Sequence, residues 1–252
     1  MTSWDARAFA RAIGATCVAF AIGWLVTAAS DEGALTVGAR AGRTVPLLPL
    51  FAAVGTAIAI GSRRAREELR ALAALGRHPA RTAAFVTAGA ALPAAVAALV
   101  LVATPHADVS AFYPAPDHGD AFVATRSGYV SPSLGVEVRA SGEIDVGPAP
   151  DGERGVSLPA HARGAAALSL VVAALALAAL AAAVVLSTPF DEDRFAQRRR
   201  VSRAVGVAAG VALATTLAFQ SAAARASSAW LTTVPALALM AWLFTRYRRG
   251  HA

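Results

Sequence analysis

Apolar residues fill six long runs, roughly 8–29, 44–61, 82–104, 165–187, 204–224 and 228–245, separated by charged or Pro/Gly-rich breaks. About 20 predominantly apolar residues suffice for a helix to cross a bilayer, so each run is expected to be a transmembrane helix. The second and sixth runs are short and their edges are the least sharply drawn. Between the third and fourth, residues 105–164 are rich in Pro, Gly, Asp and Ser, and the apolar period falls to two. In GVEVRASGEIDV a loop over Ala140–Ser141–Gly142 would set Arg139 opposite Glu143, Val138 opposite Ile144 and Val136 opposite Val146. Gly142 supplies the left-handed residue that such a hairpin requires. FVATRSGYV predicts a second hairpin with Gly128 in the same role.

The fold class expected is a membrane all-α protein: six transmembrane helices in a 3+3 arrangement with a small antiparallel β extracytoplasmic domain of four strands. The divisions fall at residues 1–104, 105–164 and 165–252, with an amphipathic helix over 63–78 inside the first.

Composition supports a membrane location. Of 252 residues, 56% are hydrophobic and 15% charged, and the mean hydropathy is +0.54. A soluble domain carries about 25% charged residues, so this chain cannot cover a globule with wetted surface. All 23 basic residues are arginine, with no lysine and no asparagine. A phosphate-loop lysine and a Schiff-base lysine are therefore impossible, and the chain has no Walker-type ATPase site of its own. The lone Cys17 excludes an internal disulfide and a cysteine metal cluster.

The net charge of +7 need not imply nucleic acid. With the N-terminus cytoplasmic, Arg7, Arg11, Arg63, Arg64, Arg66, Arg70, Arg77, Arg81, Arg194, Arg198, Arg199, Arg200, Arg203, Arg246, Arg248 and Arg249 all lie inside, sixteen of the 23. Arg40, Arg43, Arg126, Arg139, Arg154, Arg163 and Arg225 lie outside. The positive-inside rule then places both termini in the cytoplasm of a multi-pass protein. The first run follows Arg7 and Arg11 in the manner of a signal peptide. Its apolar stretch exceeds the usual h-region of roughly 7–15 residues, so it is read as a retained span.

Catalytic material is sparse. No charge occupies the middle of any run, as proton-coupled carriers require, and no serine or threonine there has a base nearby. His106, Asp108, Asp117, His118, Asp120 and His161 have no recognised metal-ligand spacing and are read as loop residues. No enzyme activity, cofactor or metal is expected. Arg40, Arg43 and Arg163, near the outer surface, could hold lipid phosphates or be ordinary flanking charge.

The segment RRAREELRALAALGRHPAR, residues 63–81, is the most distinctive. On a helix Ala65, Leu69, Leu72, Ala73 and Gly76 form a narrow apolar stripe opposite Arg63, Arg66, Glu67, Arg70 and Arg77. A helix of about four turns is expected, stopped at Gly76 ahead of Pro79. The pattern fits two uses equally: resting on lipid headgroups, or filling a groove on a cytoplasmic partner.

Glu68 to Gly76, ELRALAALG, resembles the coupling helix of ABC-transporter permeases, with a glutamate eight residues before a glycine and leucines between. Both the lipopolysaccharide-export type (LptF/LptG, or YjgP/YjgQ) and the MacB/FtsX type share that spacing. The order of parts is similar to the former: three spans with the coupling helix between the second and third, then a β domain, then three more spans. VPLLPL, with Pro46 and Pro49, also resembles that family's proline-marked second helix. The local likeness covers roughly residues 44–95. One departure stands out, since about 60 residues cannot supply an eight-strand jelly roll.

The resemblance implies a permease subunit in the bacterial inner membrane that moves lipid or lipopolysaccharide. Its partners would be a cytoplasmic ABC ATPase dimer, a second permease subunit and, in the full family arrangement, a periplasmic bridge protein. Glu67, Glu68, Leu69, Leu72 and Gly76 would meet the ATPase. A lateral gap would involve the first and fifth spans, which carry Gly14, Gly23, Gly206 and Gly210. The alternative is a non-transporting scaffold or signal transducer coupled to an ATPase, in the manner of FtsX.

Overall fold

The computed structural model describes residues 3–30, 37–104, 109–113, 123–125, 128–131, 136–139, 141–146, 158–187 and 194–249. The molecule is mostly helical, and its helices run back and forth between two ends of a bundle. In chain order they are α1 (Ser3–Ser30), α2 (Val37–Thr44), α3 (Leu48–Gly61), α4 (Arg63–Ala74), α5 (Pro79–Ala103), α6 (Ala162–Ser187), α7 (Arg194–Ala223) and α8 (Val234–Arg249).

Among the described residues five helical segments are long and apolar enough to cross a membrane: Trp4–Ser30, Arg40–Gly61, Pro79–Ala103, Ala162–Ser187 and Phe195–Ala223. The chain is therefore read as a multi-pass membrane protein. The second run is longer than its apolar pattern suggested. α2 passes through a 3-10 turn, Val45–Leu47, directly into α3. Pro46 and Pro49 each fall in the first positions of a new helical segment, where the missing N–H would have had no partner anyway. The sixth run differs in kind. It divides into a 3-10 segment, Ala229–Thr233, and the 16-residue α8. At about 1.5 Å per residue α8 spans some 24 Å, less than the roughly 30 Å hydrocarbon core.

Helices α1, α3, α5 and α6 form the centre, with α7 and α8 on the far side of α6. The α5–α6 seam is lined largely by alanine, including Ala90, Ala94, Ala98, Ala166, Ala174 and Ala178. In lipid the surroundings are as apolar as the seam, so helices associate through close van der Waals approach, which small residues allow. Glycine does the same for α1. A Cβ at Gly55 would collide with Thr16, and one at Gly89 would press on the Phe9 carbonyl. Gly23 packs against the Phe51 ring, whereas Gly14, Gly206 and Gly210 have nothing of this chain close by.

At the end where α5 finishes and α6 begins, four strands form an antiparallel meander: β1 (Val123–Thr125), β2 (Gly128–Ser131), β3 (Val136–Arg139) and β4 (Ile144–Val146). The β3–β4 register is the expected one, Val136 opposite Val146 and Val138 opposite Ile144. Gly142 is left-handed at φ +84°. Arg139 Nη1 donates to Glu143 at 3.2 Å and its Nη2 to Asp145 at 3.2 Å, which offsets the facing carboxylates of Glu137 and Asp145. Gly128 has the expected positive φ, +148°, but from within the strand rather than the loop, and it meets a second need as well. It lies in β2 opposite Thr125, and a Cβ there would strike the Val138 carbonyl and the Arg139 backbone. Glycine is needed at that position to let β3 approach.

At the same end Tyr113 Oη donates to the Ala162 carbonyl at 2.8 Å, and its ring meets Phe219 of α7 edge-on at 5.1 Å. Burial pushes the Tyr113 phenol up to about 12. The amphipathic α4 occupies the opposite end of the bundle. In a Cys17→Ser background, cysteines placed at Arg70 and Gly142 should label with membrane-impermeant maleimide from opposite sides of the membrane. Labelling from one side would refute the threading.

Candidate functional site

The helix α4 starts and stops by local rules. Ser62, in extended conformation, accepts the Ala65 N–H at 3.2 Å, an N-cap that satisfies one of the orphan donors of the first turn. At the other end Gly76 is left-handed at φ +81°. Its N–H donates to the Ala73 carbonyl at 2.9 Å, and the Arg77 N–H donates to the Leu72 carbonyl at 3.0 Å. This is the Schellman pairing. It shortens the helix to 12 residues, three turns and a little more, rather than the four expected over 63–78. His78 then caps α5, its Nδ1 accepting the Ala80 N–H at 3.2 Å, with Pro79 in the first position. Only residues 75–78 connect the two helices.

Two helices hold α4, and a third contact holds the connection that follows it. Arg66 Nε donates to the Gly61 carbonyl at 3.0 Å, closing the end of α3. Trp4 Nε1, at the start of α1, donates to Glu68 Oε2 at 3.1 Å, and Arg11 lies 3.6 Å from the same oxygen. Arg64 Nε reaches Glu68 Oε1 at 3.3 Å. One residue along from Trp4, the Asp5 carboxylate is fully buried and bonded to Arg77 in the α4–α5 connection. Arg81 Nε stands 3.8 Å from its other oxygen. The Arg77 guanidinium also sits over the Trp4 ring, 5.3 Å from the centroid, a favourable cation–π placement. The beginning of α1 is thus pinned to both ends of the segment 68–81.

The expected contact residues fall on two sides of α4. Glu68 turns inward to α1, and Leu69 packs against the bundle core. Leu72 is half-buried, Glu67 is exposed and pairs with Arg63 at 3.0 Å, and Gly76 has open space around it. Leu75, which the sequence reading did not single out, is the most exposed large apolar residue here at 83%. Trp4, Asp5, Arg11, Arg77 and Arg81 were also not singled out as site residues. The available signal was a single acid beside a tryptophan at the membrane edge, among arginines.

The three arginines considered for lipid headgroups lie at the sheet end. Arg163 Nη1 donates to the carbonyls of Leu101, at 3.3 Å, and Thr104, so it closes the last turn of α5. Arg40 is half-buried and Arg43 exposed, both on α2. His161 stacks on Trp230 at 6.1 Å. His106, Asp108, Asp117, His118 and Asp120 lie outside the described residues.

The Trp4 N–H, the largest effect, holds the Glu68 carboxyl below its ordinary value of 4.5; burial, the next largest, opposes it, and Arg11 and Arg64 add to the lowering. A depressed folded pKa contributes stability that is complete above the unfolded value and lost as pH falls through the folded one. With Trp24, Trp230 and Trp242 changed to Phe, Trp4 emission should stay constant down to pH 4.5 and shift below it. Glu68→Gln should remove that shift, and an unchanged shift in this variant would place the titration elsewhere.

Removing one partner of a buried ion pair typically costs about 3–5 kcal/mol, because the other charge is left unpaired. Asp5→Ala should therefore lower the unfolding midpoint in detergent by several degrees. Asp5→Leu with Arg77→Leu should be less damaging than the sum of the single changes. Additive effects in that cycle would deny the pairing. No family model matches the chain, and no curated protein or solved structure matches it either.

Proposed function

We propose that the chain is the membrane subunit of an ABC transporter that moves lipid out of the bacterial inner membrane, driven by a separate cytoplasmic ATPase dimer. The observation that carries this reading is α4. It is a capped amphipathic helix between the second and third spans, at the bundle end away from the sheet, fastened by Glu68 to α1 and by Arg66 to α3, with Arg77 in the connection that follows it bonded to Asp5 of α1. An element that only rested on headgroups would not need fastening to two helices and, through the connection that follows it, to the buried Asp5. The resemblance of ELRALAALG to a permease coupling helix, and the order of the parts, point the same way.

In this reading the two sides of α4 have different tasks. Glu67, Leu72, Leu75 and Gly76 meet the ATPase groove, while Glu68 and Leu69 face the bundle and carry motion inward. Closure of the ATPase tilts α4 and moves α1 and α5 together through Arg77. The 3-10 segment and α8 together form the sixth span, completing a 3+3 arrangement with both termini cytoplasmic, as the arginine asymmetry favours. A second permease copy or homologue pairs across α1 and α7, whose open Gly14, Gly206 and Gly210 suit close helix contact. About 60 residues between the third and fourth spans, with four strands among the described ones, are too few for the family's eight-strand jelly roll, so docking of a periplasmic bridge is not part of the proposal.

Leu75→Asp should abolish co-purification of ATPase activity with the tagged chain, at unchanged membrane insertion, and depletion should stop lipid export. Retained ATPase with Leu75→Asp would remove α4 as the contact. Normal export on depletion, with the ATPase still bound, would favour a scaffold or transducer role.

A further inference from the structure

Where α1 crosses α3 near α4, a cleft of about 270 Å³ opens between Arg11, Ala15, Ile58, Ala59, Ser62 and Arg64. Its walls are apolar, formed by Ala15, Ile58 and Ala59, and its rim carries two guanidinium groups and a hydroxyl. Ile58 is 58% exposed, so the apolar wall continues onto the outer surface of the bundle. We propose that this cleft binds an anionic phospholipid from the leaflet on the α4 side, its phosphate between Arg11 and Arg64 and its acyl chain along Ile58.

Depth is the first argument. Arg11 lies near the α4-side end of Trp4–Ser30, a segment long and apolar enough to cross a membrane, about 10 Å along it from Trp4 at 1.5 Å per residue. A charge at that depth needs a counter-charge at the level of the headgroups and upper chains. Glu68 supplies it only in part. Its two oxygens are shared between Arg11 at 3.6 Å, Arg64 at 3.3 Å and the Trp4 N–H at 3.1 Å. Each guanidinium has five N–H donors, and the carboxylate engages one edge of each. Two cations against one anion leave a net positive charge at the mouth of an apolar cleft.

The shape supplies the second argument. A free anion would use the rim alone and leave the apolar wall wet. An anionic phospholipid matches both parts, and planar guanidinium groups bind phosphate oxygens in paired hydrogen bonds. Because Glu68 competes for the same arginines, bound lipid would loosen its hold on Arg64 while leaving the Asp5–Arg77 pair intact. The site rests on the membrane location of the chain and not on its being a transporter subunit.

Delipidated full-length chain should be titrated with phosphatidylglycerol, phosphatidylcholine or inorganic phosphate and read by native mass spectrometry. Phosphatidylglycerol should bind roughly tenfold more tightly than phosphatidylcholine, the effect expected of two charge-assisted contacts. Arg11→Gln with Arg64→Gln should erase that preference, and Arg198→Gln, on α7, should not. Since the double change also removes partners of Glu68, a second variant is needed. Ala15→Phe keeps both charges, fills the cleft and should lower phosphatidylglycerol affinity by a similar factor. Glu68→Gln should raise it. A preference that survives both the arginine pair and Ala15→Phe would overturn the site. Inorganic phosphate competing at the concentration of the lipid would overturn the assignment to a lipid.

Discussion

The buried Asp5 carboxylate and its partner Arg77 fix where the first helix must begin. A carboxylate without solvent contact stays ionised only when opposite charge and hydrogen bonds replace its water. Asp5 finds these in a four-residue connection more than seventy positions away, with Arg81 behind it. The geometry works because that connection cannot wander. Gly76 ends α4 in a left-handed turn, and His78 and Pro79 start α5 at once. Trp4 then has one place to lie, between the Arg77 guanidinium and the Glu68 carboxylate. The pair thereby makes α1, α4 and α5 a single mechanical unit at one end of the bundle.

What could be read from the sequence follows the range of the interactions involved. Apolar runs report burial in lipid directly, so the long spans were legible. The β3–β4 hairpin was legible to the residue, because the period-two pattern and a single glycine fix its register. Gly128 was legible as the positive-φ residue of its hairpin, but the further requirement set by a neighbouring strand was not. From within its own hairpin, a glycine that admits the Val138 carbonyl looks like any turn glycine. The α4 clamp was illegible for the same reason. Trp4 and Asp5 show no periodicity that points to residues 68 and 77, and an ion pair across such a separation leaves no local trace. The stripe on α4 was legible as amphipathic, yet its apolar residues divide between the bundle and the surface. Leu69 went inward while Leu75 stayed exposed.

Small side chains carry the interior. The α5–α6 seam and the contacts of α1 with Gly55 and Gly89 bring backbones together instead of filling space with large groups. In a bilayer this is the workable arrangement, since leucine gains little by leaving lipid for protein. Its corollary is low tolerance for growth, because each added methylene in a well-packed seam forces strain. Polar contacts concentrate at the two ends: the α4 clamp at one, and the Tyr113–Ala162 bond with the Arg163 closure of α5 at the other.

α7 stands apart from this pattern. Between residues 201 and 218 nothing in it is buried, and it leans on α6 and α8 through a shallow stripe that includes Ala208 and Val211. Firmer fastening comes near its ends, from Arg200 to the Ser187 carbonyl at 2.6 Å and from Phe219 against Phe112 and Tyr113. A rod fixed at its tips and barely touched between them can bow without breaking the body it belongs to. The middle of α7 is therefore a compliant wall, one whose shape the surrounding bilayer, or a second protein within it, can set at little energetic expense.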